Sequence, residues 1–515
     1  MPRRQRFEPC WRVPSLRSTP ALVAVGAVAA LILVELLRMF VAANGQLIYT
    51  LDDPYIHLAL AEQLLHGVYG VNPGEMAAPS SSILWPFLMA AFGAWEYAPL
   101  VVNVIAALGT TWLYGRIAQQ LELSAVIQVA VVLILVVCTN VIGLVMTGME
   151  HSVQVLITVA LAYGIWQASR GEHLRWLPLL LIIAPLVRYE LMAITVPSLM
   201  LLWWWGQRRT TLIAVVGTIV GVGGFSAFLV SIGMGALPTS IHVKSAVVES
   251  SGALHQLFLT FRENLKQRQA VVLLFAAVLA CLRPRNGLWL AVVGAVLLHL
   301  LVGQFGWFYR YEAYMLAWVA SLLLLMHHRT LSEVVGSLNG WMTTMAAALL
   351  VLATGAPYLQ GLIAVPGASA NIYLQQYQMH RFVTGWWNDD VAVNDIGWVS
   401  YRNEHHVLDL WGLSSRKALQ MRSQSTDSTL QWMDQLVQER NIRLVMLYED
   451  WFGGVPKQWT LVGTLHMHRP RVTSTRDFIS VYATQPAAVE HIAAALRTFR
   501  TSLPDGASLT VVGEE

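Results

Sequence analysis

The sequence predicts a polytopic α-helical membrane protein, with about eleven transmembrane helices and a C-terminal extracytoplasmic α/β domain. Three observations carry that expectation. Of the 515 residues, 56% are hydrophobic and only 12% are charged, about half the charged fraction of an ordinary soluble domain. Apolar runs of roughly 17–22 residues recur through the first two thirds of the chain, the length a bilayer core demands of a helix. After about residue 365 these runs shorten, charges become frequent, and short β-branched stretches alternate with amphipathic ones.

The basic segment Met1–Thr19 carries Arg3, Arg4, Arg6, Arg12 and Arg17 ahead of the apolar run Ala21–Ala42. That run exceeds the roughly 7–15 residues of a signal-peptide core, so it reads as a retained first helix. Further spans are expected near 98–119, 125–144, 152–168, 174–187, 191–205, 211–232, 269–282, 287–304, 310–326 and 340–360. The runs at 174–187 and 269–282 are short for a full crossing, as helices bordering a cavity often are. Ile83–Trp95 contains Pro86 and reads as a re-entrant or interfacial helix.

Charge placement orients these spans. Arg116, Arg170 with Arg175, Arg208 with Arg209, Arg283 with Arg285, and Arg329 fall in alternate loops, all on the side of the N-terminus, whereas residues 43–99 contain no Lys or Arg. By the positive-inside rule the N-terminus is cytoplasmic and the tail after an odd number of spans is extracytoplasmic. The expected organisation is a cytoplasmic tail (1–20), a membrane domain (21–362) with an outer loop (43–97), and an outer domain (363–515), all in the plasma membrane.

In that outer domain, Val391–Asn394, Val407–Leu410, Leu444–Tyr448, Thr460–Thr464 and Phe478–Tyr482 read as buried strands. Asn371–Trp387, Thr429–Arg440 and Ala487–Phe499 read as amphipathic helices, giving a three-layer α/β unit. Cys10, Cys138 and Cys281 supply no disulfide framework for it. The net charge of +3 is too small to suggest a nucleic-acid partner, and no protein partner is implied.

The polar clusters beside the apolar runs collect on the outer side. They are Asp52-Asp53 with Tyr55, Glu150-His151, Arg188 with Glu190, His242 with Lys244, and Arg310-Tyr311-Glu312. Each one alone reads equally well as a helix cap or an interfacial ion pair. Five on one face point to an outward-facing polar cavity. No Walker loop, dinucleotide fingerprint, nucleophile elbow or HExxH motif is present, so a substrate already activated outside the cell must supply the energy. A lipid-linked phosphosugar fits such a site. One carboxylate takes the proton of an acceptor hydroxyl, and Arg188, Lys244 and Arg310 are the cations available to the departing phosphate. A second role open to the Asp52-Asp53 pair is to hold a divalent cation (Mg, Mn or Ca) through oxygen ligands.

At these residues the chain resembles the GT-C class of integral membrane glycosyltransferases, in the bacterial branch that uses polyprenyl-phosphate sugars and includes arabinofuranosyl- and mannosyltransferase-like enzymes. The likeness runs from Asp52-Asp-Pro-Tyr-Ile56 through Asn72-Pro-Gly-Glu75, Ala78-Pro-Ser-Ser-Ser82, Gly148-Met-Glu150 and Arg188-Tyr-Glu190 (with Tyr189 where the family has proline). It continues through Lys244 and Trp307–Glu312 to Val393-Asn-Asp395-Ile-Gly397 and Val407–Leu413. The resemblance implies an inverting transfer to an envelope glycan, glycolipid or protein. Asp52 is favoured as the base, with Asp53 orienting the acceptor or a cation. Arg188, Glu190, His242, Lys244 and Arg310 fall at the donor phosphate and sugar, while Tyr55, Glu150, His151, Tyr311 and Glu312 line the pocket. Trp386, Trp387 and Trp398 are candidates for sugar stacking or for packing, and Asp395 and Asp409 for capping or sugar contact. The competing functions are a lipid-sugar transporter or flippase, an oligosaccharide ligase or polymerase, and a non-catalytic membrane assembly protein.

Overall fold

A computed structural model describes residues 19–240, 253–282, 285–425 and 429–514. The helices of the membrane part, in order, are α1 (Thr19–Ala42), α2 (Asp53–Leu65), α3 (Leu84–Ala91), α4 (Ala98–Ala118), α5 (Ala125–Cys138), α6 (Val141–Met146) and α7 (His151–Ala168). They continue with α8 (Leu177–Val187), α9 (Met192–Trp204), α10 (Arg208–Ser231), α11 (Ala253–Asn264), α12 (Arg268–Cys281), α13 (Leu288–Val302) and α14 (Ala313–Ser337). Last come α15 (Gly340–Leu350) and α16 (Ala356–Leu374), joined through a π turn at Val351–Gly355.

Among the described residues, four helical stretches are long and apolar enough to cross a membrane: Thr19–Ala42, Ala98–Leu121, Arg208–Ser231 and Gly340–Trp387. The chain is thus a largely helical, membrane-associated protein. Leu33 and Leu37 on α1, and Val216, Ile219 and Val220 on α10, remain exposed on these helices. Such surfaces suit hydrocarbon and not water. The other expected spans also coincide with helices: α7 and α14 are continuous over 18 and 25 residues, and the rest are shorter or interrupted. The run expected at 125–144 is two helices, because Asn140 sits in the left-handed region (φ 54°) and donates to the Tyr309 carbonyl (3.0 Å). Two further helices, α2 and α11, have no counterpart among the expected elements.

The last apolar helix does not stop at the expected boundary of 362. It runs through α16 and α17 (Gln376–Phe382) into the C-terminal domain. There six strands, β1 (Val391–Val393), β2 (Val407–Asp409), β3 (Leu444–Leu447), β4 (Thr460–Met467), β5 (Phe478–Ala483) and β6 (Ala507–Val511), form one sheet in the order β2-β1-β3-β5-β4-β6. β1 pairs in parallel with β2 and β3, and the remaining pairs are antiparallel.

The period of two decides the layering. Ala392, Leu408, Val445 and Leu447 face a core made with α19 (Arg416–Gln424) and α20 (Gln431–Glu439). Val391, Val393, Leu444 and Met446 face the opposite core, which holds Met379 and Phe382 of α17 and Ile492, Leu496 and Phe499 of α21 (Val489–Arg500).

That second core also contains Tyr49, Tyr55, Ile56, Leu58 and Trp85 from the segment 43–97, so this segment and the C-terminal domain fold as one apolar body. Trp398, on the short helix α18 (Gly397–Ser400), stacks on Tyr55 with 3.9 Å between ring centroids. Asn72 mimics a strand neighbour, accepting from Val407 N (2.9 Å) and donating to its carbonyl (3.0 Å). Glu75 binds His406 at 2.5 Å and Arg440 at 3.2 Å. The His406 contact and then the Arg440 charge hold the Glu75 carboxyl below its usual range against the effect of burial.

The junction leaves no room at Gly397, where an added Cβ would lie 2.1 Å from the Asp52 carbonyl oxygen. Gly397→Ala is expected to destabilise the folded chain by about 1–3 kcal/mol, the usual cost of overpacking. Thermal unfolding in detergent measures this, and an unchanged midpoint would contradict the close approach.

Candidate active site

The two aspartates at the start of α2 have different surroundings. Asp52 is the N-cap residue, and its side chain turns toward the outer domain. Its Oδ2 accepts from Gly397 N (2.7 Å) and its Oδ1 from Trp398 N (2.9 Å). The Asp395 carboxyl hydrogen-bonds the Asp52 carboxyl, and Gln376 Nε2 donates to Asp395 Oδ2 (3.0 Å). Asp53, the first residue of the helix, turns the other way and ion-pairs with Arg310, keeping 26% of its side chain exposed. Adjacent positions at a helix start diverge by about 100°, so the sequence pair is not a spatial pair. The expectation that Asp52 and Asp53 jointly hold a metal is therefore corrected. One carboxylate is consumed by backbone amides and the other faces a guanidinium. Among the described residues no group of three or more His, Cys, Asp or Glu side chains is placed to hold a metal ion.

Arg310 reaches Asp53 because of an unusual turn. Gly306, Trp307, Phe308 and Tyr309 all have positive φ (83°, 46°, 61° and 58°), and Arg310 N donates to the Gly306 carbonyl (3.2 Å). This is one turn of left-handed helix, which costs about 1–2 kcal/mol for each residue bearing a side chain. Such strain persists where surrounding contacts over-determine it, commonly at functional sites. Here Asn140 binds the Tyr309 carbonyl and the Tyr309 ring packs edge-on against Tyr358 at 5.7 Å. The Arg310 side chain is buried, lies 5.0 Å from the Tyr311 ring centroid, and leaves Nε and Nη1 without a hydrogen-bond partner among the described residues.

Arg188 is the opposite case. Its Nη1 donates to Glu150 Oε1 (2.5 Å) and Ser81 Oγ (3.3 Å), while Nε and Nη2 form a fork on Glu190 (3.0 and 2.5 Å). Every nitrogen is engaged, so the role of phosphate ligand expected for Arg188 and Glu190 does not fit their geometry. Buried Glu150 and Arg188 with half-buried Glu190 form a Glu–Arg–Glu clamp tying the α6–α7 turn to the end of α8. His57 on α2, which the sequence reading missed, lies 4.0 Å from Glu150 Oε2. Tyr311 packs near both guanidinium groups and near His151, whose ring centroid is 6.0 Å away.

Two residues expected in the pocket are structural. Tyr55 is buried under Trp398, and its hydroxyl accepts from Tyr49 N (3.1 Å). Glu312, also buried, accepts from Gly306 N (2.9 Å) and Tyr358 OH (3.2 Å), which closes the left-handed turn. His242 and Lys244 lie outside the described residues. Trp387 and Trp398 are buried, and Trp386 packs on Phe499 at 4.9 Å, so all three pack the domain. Asp409 is a cap, accepting from Gly412 N (2.9 Å) and Ser414 N (2.6 Å). Two small crevices lie among the helices, one lined by Gln269, Leu316 and Pro357 and the other by Asn140, Gly143 and Tyr358, and neither is lined by Asp53, Arg188 or Arg310.

A family model described as a domain of unknown function, DUF8728, matches residues 370–482. The matched segment lies in the C-terminal domain and contains Asp395, Gly397 and Trp398, the groups that meet Asp52, and Gln376, which binds Asp395. No curated protein matches the chain.

Burial, and after it the Asp395 charge, raises the Asp52 carboxyl well above its ordinary range, and burial raises Asp395 to about 6. The hydrogen-bonded pair thus carries a shared proton that the unfolded chain would release at about pH 4. The stabilising contribution is full below that value and is lost as pH rises, through about 6 for Asp395 and higher for Asp52. The melting temperature of the wild type is expected to fall between pH 5 and pH 8. Asp395→Asn, whose amide can donate to Asp52 and still accept from Gln376, is expected to show a shallower fall. An equal or steeper fall in the variant would contradict the shared proton.

Proposed function

We propose that the chain is an inverting membrane glycosyltransferase, moving a sugar from a polyprenyl-phosphate donor to a glycan or glycolipid acceptor at the outer face of the plasma membrane. The eleven-span GT-C-like organisation, the cytoplasmic N-terminus and the extracytoplasmic C-terminal domain belong to this proposal. The observation that carries it is the Asp53–Arg310 pair: a partly exposed carboxylate beside a buried guanidinium that has two unpartnered N–H-bearing nitrogens among the described residues. A buried cation with open donors suits a phosphate, and a carboxylate next to it suits a proton acceptor.

In this reading the acceptor hydroxyl gives its proton to Asp53. Its oxygen attacks the anomeric carbon, and the bond from that carbon to the phosphate oxygen breaks. The lipid phosphate leaves with the bonding electrons as a stable anion and needs no general acid. Arg310 neutralises the charge developing on it, an interaction that gains most where water is excluded. Arg188 acts at a distance, fixing Glu150, Glu190 and Ser81 around the site.

Asp53 is thereby preferred over Asp52 as the base, since both Asp52 oxygens are bound to backbone amides. Asp53→Asn is expected to lower kcat by about 10²–10⁴-fold, the range general-base catalysis contributes, with donor-lipid binding retained. Radiolabelled transfer in proteoliposomes reads the rate. Full activity in Asp53→Asn would remove the assignment. Arg310→Gln is expected to weaken binding of polyprenyl phosphate by about 10–100-fold, the worth of one or two charge-assisted hydrogen bonds. Unchanged lipid-phosphate affinity would count against Arg310 as the phosphate ligand. Movement of donor lipid across the bilayer without sugar transfer would favour a flippase instead.

A further inference from the structure

We propose that the loop between β4 and β5 is a binding surface for the headgroup of an anionic phospholipid, placed where the apolar belt of the chain ends. Such a surface requires only that α1 and α16 lie in a bilayer. It stands whether or not the chain transfers sugar.

The edge of the belt is visible on two helices. Leu37, Phe40 and Val41 are exposed near the end of α1, and Leu359 and Ile363 are exposed on α16. From 364 to 384 no residue is exposed, because the C-terminal domain packs around the helix. Arg38 ties the two edges together. It pairs with Glu35, and its Nη2 donates to the Ile363 carbonyl (3.2 Å). Helix carbonyls point toward the residue four positions on, so this guanidinium lies over the turn that leads to Gly367.

The β4–β5 loop is fastened to the same stretch of α16. Asn371, fully buried, donates from Nδ2 to the Pro470 carbonyl (3.0 Å) and accepts at Oδ1 from Val472 N (2.6 Å). One turn on, Gln375 Nε2 donates to the Arg476 carbonyl (2.9 Å). One turn back, the Val472 side chain closes on Gly367, where an added Cβ would lie 3.1 Å from its Cγ2. Residues four apart share one face of a helix. The loop therefore runs along that face, with Val472 nearest the belt, and its height above the bilayer is fixed by the helix.

The chemistry of the loop suits a lipid. Residues 466–476 contain Arg469, Arg471 and Arg476 and no Asp or Glu. Arg476 pairs with Asp450. Arg469 and Arg471 are exposed and form no ion pair among the described residues, and Arg471 Nη1 donates to the Thr475 carbonyl (2.8 Å) within the loop. Val472 beside them keeps 38% of its surface exposed. An apolar tip beside two cations, at the edge of a hydrocarbon surface, sets its apolar atoms among acyl chains and its guanidinium groups on phosphate. A zwitterionic headgroup carries its own cation next to that phosphate, so an anionic lipid is preferred. Inorganic phosphate has no acyl chain for Val472 to meet.

The test is site-directed fluorescence on the full chain in lipid nanodiscs. Val472→Cys carries a bimane label in a chain with Cys10→Ser, Cys138→Ser and Cys281→Ser, and phospholipids brominated on their acyl chains quench the label on contact. Brominated phosphatidylglycerol is expected to quench at about tenfold lower mole fraction than brominated phosphatidylcholine, the preference that two arginines near an anionic surface supply. Arg469→Gln combined with Arg471→Gln is expected to bring the two lipids within about twofold of each other. Absence of quenching by either lipid, equal quenching by both in the parent, or an undiminished preference in the double variant would overturn the proposal. So would sodium phosphate relieving the quenching more than sodium chloride of equal ionic strength, which would mark a free-anion site. Sugar transfer is not read here, so a wild type without donor turnover would remove the transferase reading and preserve the lipid site.

Discussion

Two backbone amides on one carboxylate govern how this molecule is joined. Asp52 begins α2 and at the same time caps α18 of the C-terminal domain through Gly397 and Trp398. Because the capping group comes from a segment more than 300 residues away, it is a docking contact between the two halves of the chain. The stacking of Tyr55 on Trp398 and the pairing of Asn72 with Val407 surround it, so the apolar core of the sheet continues into the outer loop without a break. The same contact separates the duties of the adjacent acids. With Asp52 committed to the junction, Asp53 is left facing Arg310.

The polar groups below that junction are balanced by pairing. Arg188 between Glu150 and Glu190 is buried, and removing one partner of such a group costs about 3–5 kcal/mol because an uncompensated charge remains. Arg310 shares its burial but has fewer partners. It is presented on a left-handed turn that Asn140, Glu312 and Tyr358 hold in place. Strain and incomplete hydrogen bonding coincide at one side chain, which is the pattern of a binding group and differs from that of the Arg188 clamp.

Much of the fold was legible in the sequence. Five of the six strands fall where short apolar runs placed them: β1, β2, β3 and β5 are buried almost throughout and read as continuous apolar stretches, whereas β4 starts exposed and runs on past Thr464 to Met467. β6 escaped notice because Ala507–Val511 is an edge strand with Ser508 and Thr510 interleaved, and α19 because only Ala418 and Leu419 are buried on an otherwise polar helix. The site was legible in composition and not in partnership. Sequence order brought out Asp52, Asp53, Glu150, Arg188, Glu190 and Arg310, but adjacency suggested that the aspartates act together, and no sequence pattern announces that a helix start turns them apart. His57 was missed because a lone histidine on an apolar helix carries no signal until Glu150 is seen beside it. Trp386, Trp387 and Trp398 were left between sugar stacking and packing for a similar reason: abundance of Trp does not say which rings are covered.

The most direct measurement is an electron-cryomicroscopy structure of the full chain in lipid nanodiscs with polyprenyl phosphate bound. The account requires the phosphate to contact the Arg310 guanidinium with the Asp53 carboxylate opening into the same cavity, and Asp52 still bound to the Gly397 and Trp398 amides. A lipid phosphate seated elsewhere, or Asp52 released from the outer domain and turned toward it, would contradict the division of labour between the two aspartates.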